Sequence, residues 1–132
     1  PEERRAVLEA LTDHKLVLAS NFDHAATLRQ ALREFQIEKF FQSIFISDQV
    51  GWRKPAPEFF EILIGETGVE PGRCLFVGDD PKADVEGAVG AGFQAVWLSE
   101  RKPTEGPGRS PRWVIHNLAE LVGIVRRGLL ET

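Results

Sequence analysis

Three short polar clusters in this sequence could do chemistry together. Ser20-Asn21 closes the apolar run Leu16-Val17-Leu18-Ala19, and Lys54 sits inside Gly51-Trp52-Arg53-Lys54-Pro55-Ala56-Pro57. Asp79, Asp80 and Asp84 follow the run Cys74-Leu75-Phe76-Val77 and Gly78. A hydroxyl with nearby backbone N–H groups at a strand end can hold a phosphate oxygen. A lysine stiffened by a following proline presents a fixed ammonium, which neutralises phosphate charge in ground and transition states. Carboxylates packed this closely repel one another unless a cation compensates. Hard oxygen ligands of this kind suit Mg²⁺, which commonly takes one or two protein carboxylates and fills its shell with other oxygens. Each cluster also has a plain structural alternative. Ser20 or Asn21 could cap the next helix, Lys54 could be a solvated surface lysine, and the acids could sit at a helix N-terminus, where negative charge is favoured. Gly78 weighs toward a site, because it permits close backbone approach.

The elements that must position these residues alternate in type. Helical spacing runs through Val7, Leu8 and Leu11 in 2–11 and through Leu28, Leu32 and Phe35 in 27–35. A helix is expected over 57–67, started by Pro57 and capped by Gly68. Another is expected over 85–91, closed by Gly92, and a last one is capped by Asn117 and runs through Val125. Short apolar runs at 16–19, 44–46, 74–77 and 93–98 read as buried strands, with an edge strand at 113–115. Residues 101–112 hold Pro103, Gly106, Pro107, Gly108 and Pro111 and read as a loop. Strand and helix alternating in this way predict an α/β domain with a mostly parallel sheet. In such sheets the chemistry gathers at the carboxyl ends of the strands. All three clusters fall at predicted strand or loop ends.

Composition narrows the classes further. The chain has 132 residues, 42% hydrophobic and 27% charged, which fits a single globular domain. A net charge of −4 gives no attraction for phosphate backbones, so nucleic acid is not an expected partner. One cysteine, Cys74, cannot form an internal disulfide, and no Cys/His spacing suits zinc. No apolar run approaches the roughly 20 residues of a membrane span, and the start Pro-Glu-Glu-Arg-Arg is charged where a signal peptide is apolar. A cytoplasmic protein with no membrane partner is the expectation. Trp97, inside a strand run, is expected in the core; Trp52, beside the lysine loop, is expected to pack, with contact to a substrate as the alternative.

The three segments 18–23, 51–60 and 77–88, with Gly90-Ala91-Gly92-Phe93 behind them, resemble motifs II, III and IV of the haloacid dehalogenase-like (HAD) hydrolases. The resemblance spans about residues 16–98, and the three ordered motifs make it specific. It implies a three-layer Rossmann-like sheet and an aspartyl-phosphate mechanism in which an aspartate takes the phosphoryl group and water releases it. By motif, Ser20, with Asn21 beside it, would bind the phosphoryl oxygens, and Lys54 would balance charge on nucleophile and phosphate. Asp79 would bind Mg²⁺, Asp84 would support the metal or orient Lys54, and Asp80 would stand behind them as a supporting acid. The acid at position 79 points to a phosphatase, since the similar dehalogenases work without Mg²⁺ and lack it.

One departure is large. The family's first motif, Asp-x-Asp-x-Thr, is absent from these residues, and Asn21 has no carboxylate with which to attack. The segment therefore reads as the C-terminal part of a core domain, without its first strand and its cap, and is expected to be inactive alone. The intact protein would be a Mg²⁺-dependent phosphatase of a small phosphorylated metabolite. The alternative is a non-catalytic fragment or pseudoenzyme that binds phosphate, Mg²⁺ or a protein partner. The missing strand would belong between those ending at Ser20 and Val77, so these strands are expected to close directly or to take a partner's strand, which would favour a homo-oligomer. A phosphoacceptor receiver domain uses similar groups, but with the acids first and the lysine last, and is set aside.

Overall fold

The computed structural model describes residues 2–99 and 108–127, and the chain separates into two compact units, 1–53 and 54–132. Most of the expected 101–112 loop therefore lies outside the described residues. Among the described residues, no helix is long and apolar enough to cross a membrane.

The first unit begins with helix α1 (Glu2–Ala10), followed by strand β1 (Val17–Ser20), helix α2 (Ala25–Glu34), strand β2 (Ser43–Ile46) and the single turn α3 (Ser47–Val50). Strands β1 and β2 pair in parallel, with Val17 opposite Ser43 and Ser20 opposite Ile46. The crossover helix α2 buries Ala25 and Leu32, while β2 buries Phe45 and Ile46. Apolar spacing had marked each of these elements to within two residues except α3. That turn is closed by Gly51 at φ 90°, a left-handed conformation that costs glycine little.

The second unit carries helix α4 (Pro57–Thr67), strand β3 (Leu75–Gly78), a π-helical turn at Pro81–Glu86, the short helix α5 (Gly87–Gly90), strands β4 (Gln94–Leu98) and β5 (Trp113–Ile115), and helix α6 (Glu120–Arg126). The three strands lie in the order β3-β4-β5, all parallel. Helix α4 has the expected bounds, with Pro57 in its first turn and Gly68 left-handed at its end. Its buried face, Phe59, Phe60 and Leu63, meets an aromatic cluster. The Phe60 ring lies 5.3 Å from Phe76 on β3 and 6.2 Å from Phe93, in tilted geometries. Gly87 lets α5 settle on this cluster, since a Cβ there would come within 2.7 Å of the Phe60 ring.

Three expectations need correction. The π-helical turn starts at Pro81 rather than at Val85, because Asp80 caps it. The last helix is not capped by Asn117: the Glu120 carboxylate instead accepts the N–H groups of His116 and Asn117, which hold it below the usual carboxylate range. Nor do β1 and β3 close directly, for the strands form two separate ladders, β1-β2 and β3-β4-β5. Each ladder is built across its own crossovers, so the long connection through α4 joins elements of different sheets. The α/β class with parallel strands stands as read.

Candidate functional site

At the carboxyl end of β3 the chain passes through Gly78, Asp79 and Asp80 into the π-helical turn, whose i→i+5 bond runs from Val85 N–H to the Asp80 carbonyl at 3.3 Å. Wide turns of this kind are uncommon and often mark functional positions. This one brings Asp84 back over Gly78. Asp84 is 6% exposed and, taken as a whole residue, is one of two buried polar residues among those described. Its Oδ1 accepts from Lys54 Nζ at 2.5 Å, and both side chains are only 8% exposed. Its Oδ2 accepts the Asp80 N–H at 3.1 Å. The Lys54 ammonium also lies 5.8 Å from the centre of the Phe76 ring, favourable for a cation over an aromatic face.

Lys54 is therefore not a solvated surface lysine. It precedes a cis peptide bond to Pro55 and is buried against a carboxylate thirty positions along. Its neighbour Arg53 belongs to the first unit and makes an exposed ion pair with Asp23.

The three acids separate by environment. Asp80 Oδ1 accepts the N–H groups of Lys82 and Ala83 at 2.9 and 2.8 Å, the geometry of a helix cap, so the bland alternative holds for this residue. Asp84 is committed to Lys54 and the Asp80 amide. Asp79 is exposed, and its backbone carbonyl accepts from the indole Nε1 of Trp97 at 3.1 Å. Trp97 is half-buried on β4, where it stands opposite Gly78, rather than in the core.

Gly78 is required here by space rather than by backbone angle. A Cβ at this position would overlap Cβ, Cγ and Oδ2 of Asp84. Gly78→Ala is expected to destabilise the chain by about 1–3 kcal/mol, the usual cost of overpacking, in thermal unfolding. Gly65→Ala on α4, with nothing within 4 Å, is the matched control and should be neutral or stabilising.

In the first unit, Ser20 and Asn21 end β1, half-buried. Neither caps α2. Its first residue, Ala25, donates its N–H to Asp48 Oδ2 at 3.0 Å. The buried Ser47 hydroxyl accepts the Phe22 N–H at 2.9 Å and donates to the Phe22 carbonyl at 3.1 Å. Ser47 and Asp48 thus fix the backbone that follows Ser20-Asn21. Sequence reading missed both, since no local signal ties them to residues more than twenty positions away. Trp52, expected to pack, is 46% exposed, as is Phe22 at 37%.

No group of three or more His, Cys, Asp or Glu side chains converges on a metal position among the described residues. What the second unit offers a hard cation is the exposed Asp79 carboxylate at a strand end. That donor suits Mg²⁺ as one ligand among several.

A family model for haloacid dehalogenase-like hydrolases matches residues 2–92. The chain belongs to the haloacid dehalogenase-like hydrolases. Among its relatives in this family, N-acylneuraminate-9-phosphatase of Mus musculus is 31% identical over 116 residues, covering 85% of this chain and 46% of that protein. Phosphoserine phosphatase of Thermus thermophilus is 38% identical over 81 residues, covering 61% of this chain and 32% of that protein. The HAD-hydrolase YfnB of Bacillus subtilis, solved bound to magnesium, superposes with a TM-score of 0.88 at 25% identity, over 95% of this chain and 55% of that one. The chain spans about half the length, or less, of these HAD relatives.

Proposed function

We propose that this chain forms part of a Mg²⁺-dependent phosphatase acting on a small phosphorylated metabolite. The observation that carries the reading is the buried Lys54–Asp84 pair beside an exposed Asp79 at the end of β3. A buried charge pair is often no more stabilising than apolar groups of the same volume, so stability alone does not account for it. The phosphatase activity named for the Mus musculus and Thermus thermophilus relatives supports the same reading.

Each residue then has a role its surroundings suit. Asp84 holds the Lys54 ammonium in one place, so that the positive charge is available to a phosphoryl group and to an attacking carboxylate. Ser20, with Asn21 beside it, donates to phosphoryl oxygens. Asp79 holds Mg²⁺, which when bound offsets charge on the phosphoryl oxygens. Asp80 shapes the turn through its cap and carries no chemistry. Of the two roles that resemblance gives Asp84, the partners of its oxygens favour orienting Lys54 over binding the metal. The nucleophile is an aspartate outside these residues, forming an aspartyl-phosphate that water hydrolyses.

A second reading, a chain that binds phosphate, Mg²⁺ or a protein without turnover, is favoured by the lack of Asp-x-Asp-x-Thr in the 132 residues. Phosphatase assays with p-nitrophenyl phosphate and Mg²⁺ separate the two, using the chain and an N-terminally extended form that carries the aspartate motif. Activity in the extended form, lost on Asp79→Ala, is the expected result. Activity in the 132-residue chain alone would overturn the motif assignment. Silence from both would favour the binding protein.

A further inference from the structure

The peptide unit joining Asp79 to Asp80 is held at both ends. Its carbonyl, on Asp79, accepts from Trp97 Nε1 at 3.1 Å, and its N–H, on Asp80, donates to Asp84 Oδ2 at 3.1 Å. The strand ladder does not do this work: the β3 pairing ends at Gly78, opposite Trp97. Past that point the backbone leaves the sheet, and its polar groups need other partners. Trp97 supplies one by reaching from β4 over the strand end. Fixing the plane of one peptide fixes the ψ of the residue before it, and with the ladder holding Gly78 on the other side it sets the direction of the Asp79 Cα–Cβ bond.

We infer that Trp97 is a positioning residue for the cation ligand Asp79, acting through the indole N–H and the Asp79–Asp80 peptide. The inference rests on the reading of Asp79 as a Mg²⁺ ligand. The two anchors differ in kind. Asp84 is tied to Lys54 and so couples this peptide to the buried ion pair, whereas Trp97 offers a neutral donor to the backbone carbonyl. Removing the indole donor should therefore loosen the carboxylate while leaving the Lys54–Asp84 pair in place.

The test is the Mg²⁺ affinity of the N-terminally extended form that carries the aspartate motif, read from the amide resonances of Asp79 and Asp80 during a MgCl₂ titration. Three variants are compared with the parent. Trp97→Phe keeps an aromatic ring without the donor. Trp97→β-(3-benzothienyl)alanine replaces the indole N–H by sulfur at nearly constant shape. Asp79→Asn removes the ligand itself. Loss of one neutral hydrogen bond should weaken Mg²⁺ binding about two- to tenfold in both position-97 variants. The urea midpoint should stay near the parent value and the amide spectrum should stay dispersed. Asp79→Asn should show no saturable shift. Parent-like affinity in both position-97 variants, with binding lost in Asp79→Asn, would overturn the role of Trp97 and leave Asp79 as ligand. A weakening that appears only together with a collapsed spectrum would also overturn it. Parent-like affinity in Asp79→Asn, or no saturable shift in the parent, would overturn the reading on which the inference rests.

Discussion

Lys54→Ala is expected to cost about 3–5 kcal/mol of folding stability, measured as a fall in the urea midpoint, because it strands a carboxylate in the interior. Asp84 is 6% exposed, and its Oδ1 faces the lysine ammonium at 2.5 Å, so truncating Lys54 leaves that oxygen without its counter-charge. The same reasoning predicts that Asp84→Ala is comparably harmful, for it leaves the ammonium buried instead. A double variant, Lys54→Met with Asp84→Leu, should recover most of the loss, since a buried pair replaced by apolar groups of similar volume is often neutral or stabilising. That recovery would separate function from stability. The pair would then be dispensable for folding once both charges go, and its retention would reflect what the lysine does for a phosphoryl group. A double variant as unstable as the singles would instead make the pair a structural fixture.

The second large effect lies beneath the first. Phe60→Ala should cost about 3–5 kcal/mol in the same measurement, in line with other buried aromatic truncations. Phe60 is fully buried and has the Phe59, Phe76 and Phe93 rings around it, with centroids at 5.7, 5.3 and 6.2 Å. Part of the vacancy would be filled by Phe76, whose ring centre lies 5.8 Å from the Lys54 ammonium. The variant should thus perturb the lysine as well as the core. Phe60→Leu, which leaves a smaller cavity, should lose less stability and shift the Lys54 side-chain resonances less.

Much of this architecture can be read from the chain. Runs such as Leu75-Phe76-Val77 are continuously apolar and bounded by polar or glycine residues, so they announce strands, although β3 is half-buried along its length rather than buried on both sides. Helix α4 announces both its ends, through Pro57 and Gly68. The five strands among the described residues, and most helices there, follow from such local signals. What local signals do not carry is pairing over distance. That Asp48 rather than Ser20 or Asn21 caps α2 depends on the return of β2 beside β1. That Trp97 reaches the Asp79 carbonyl depends on a register in which it falls opposite Gly78. The split into two ladders is likewise a property of topology, not of any one segment. Within the acidic cluster the residue types gave the chemistry but not the division of labour. Three aspartates within six residues look equivalent until the π-helical turn buries one, makes another a cap and leaves the third at the surface.

The overlap that any side chain at Gly78 would make with Asp84 also sets an order on how this sequence can drift. A methyl group can enter at position 78 without strain only after residue 84 has given up its side chain or its backbone has moved away, because the overlap begins at the Asp84 Cβ. Once that has happened, Lys54 is left buried without the carboxylate that balances it, and its own replacement follows. A lineage that takes the first step is thus drawn through all three, whereas a lineage that keeps Asp84 keeps its glycine. A side chain at position 78 is accordingly a marker, readable in a bare sequence, that the charge pair has been lost.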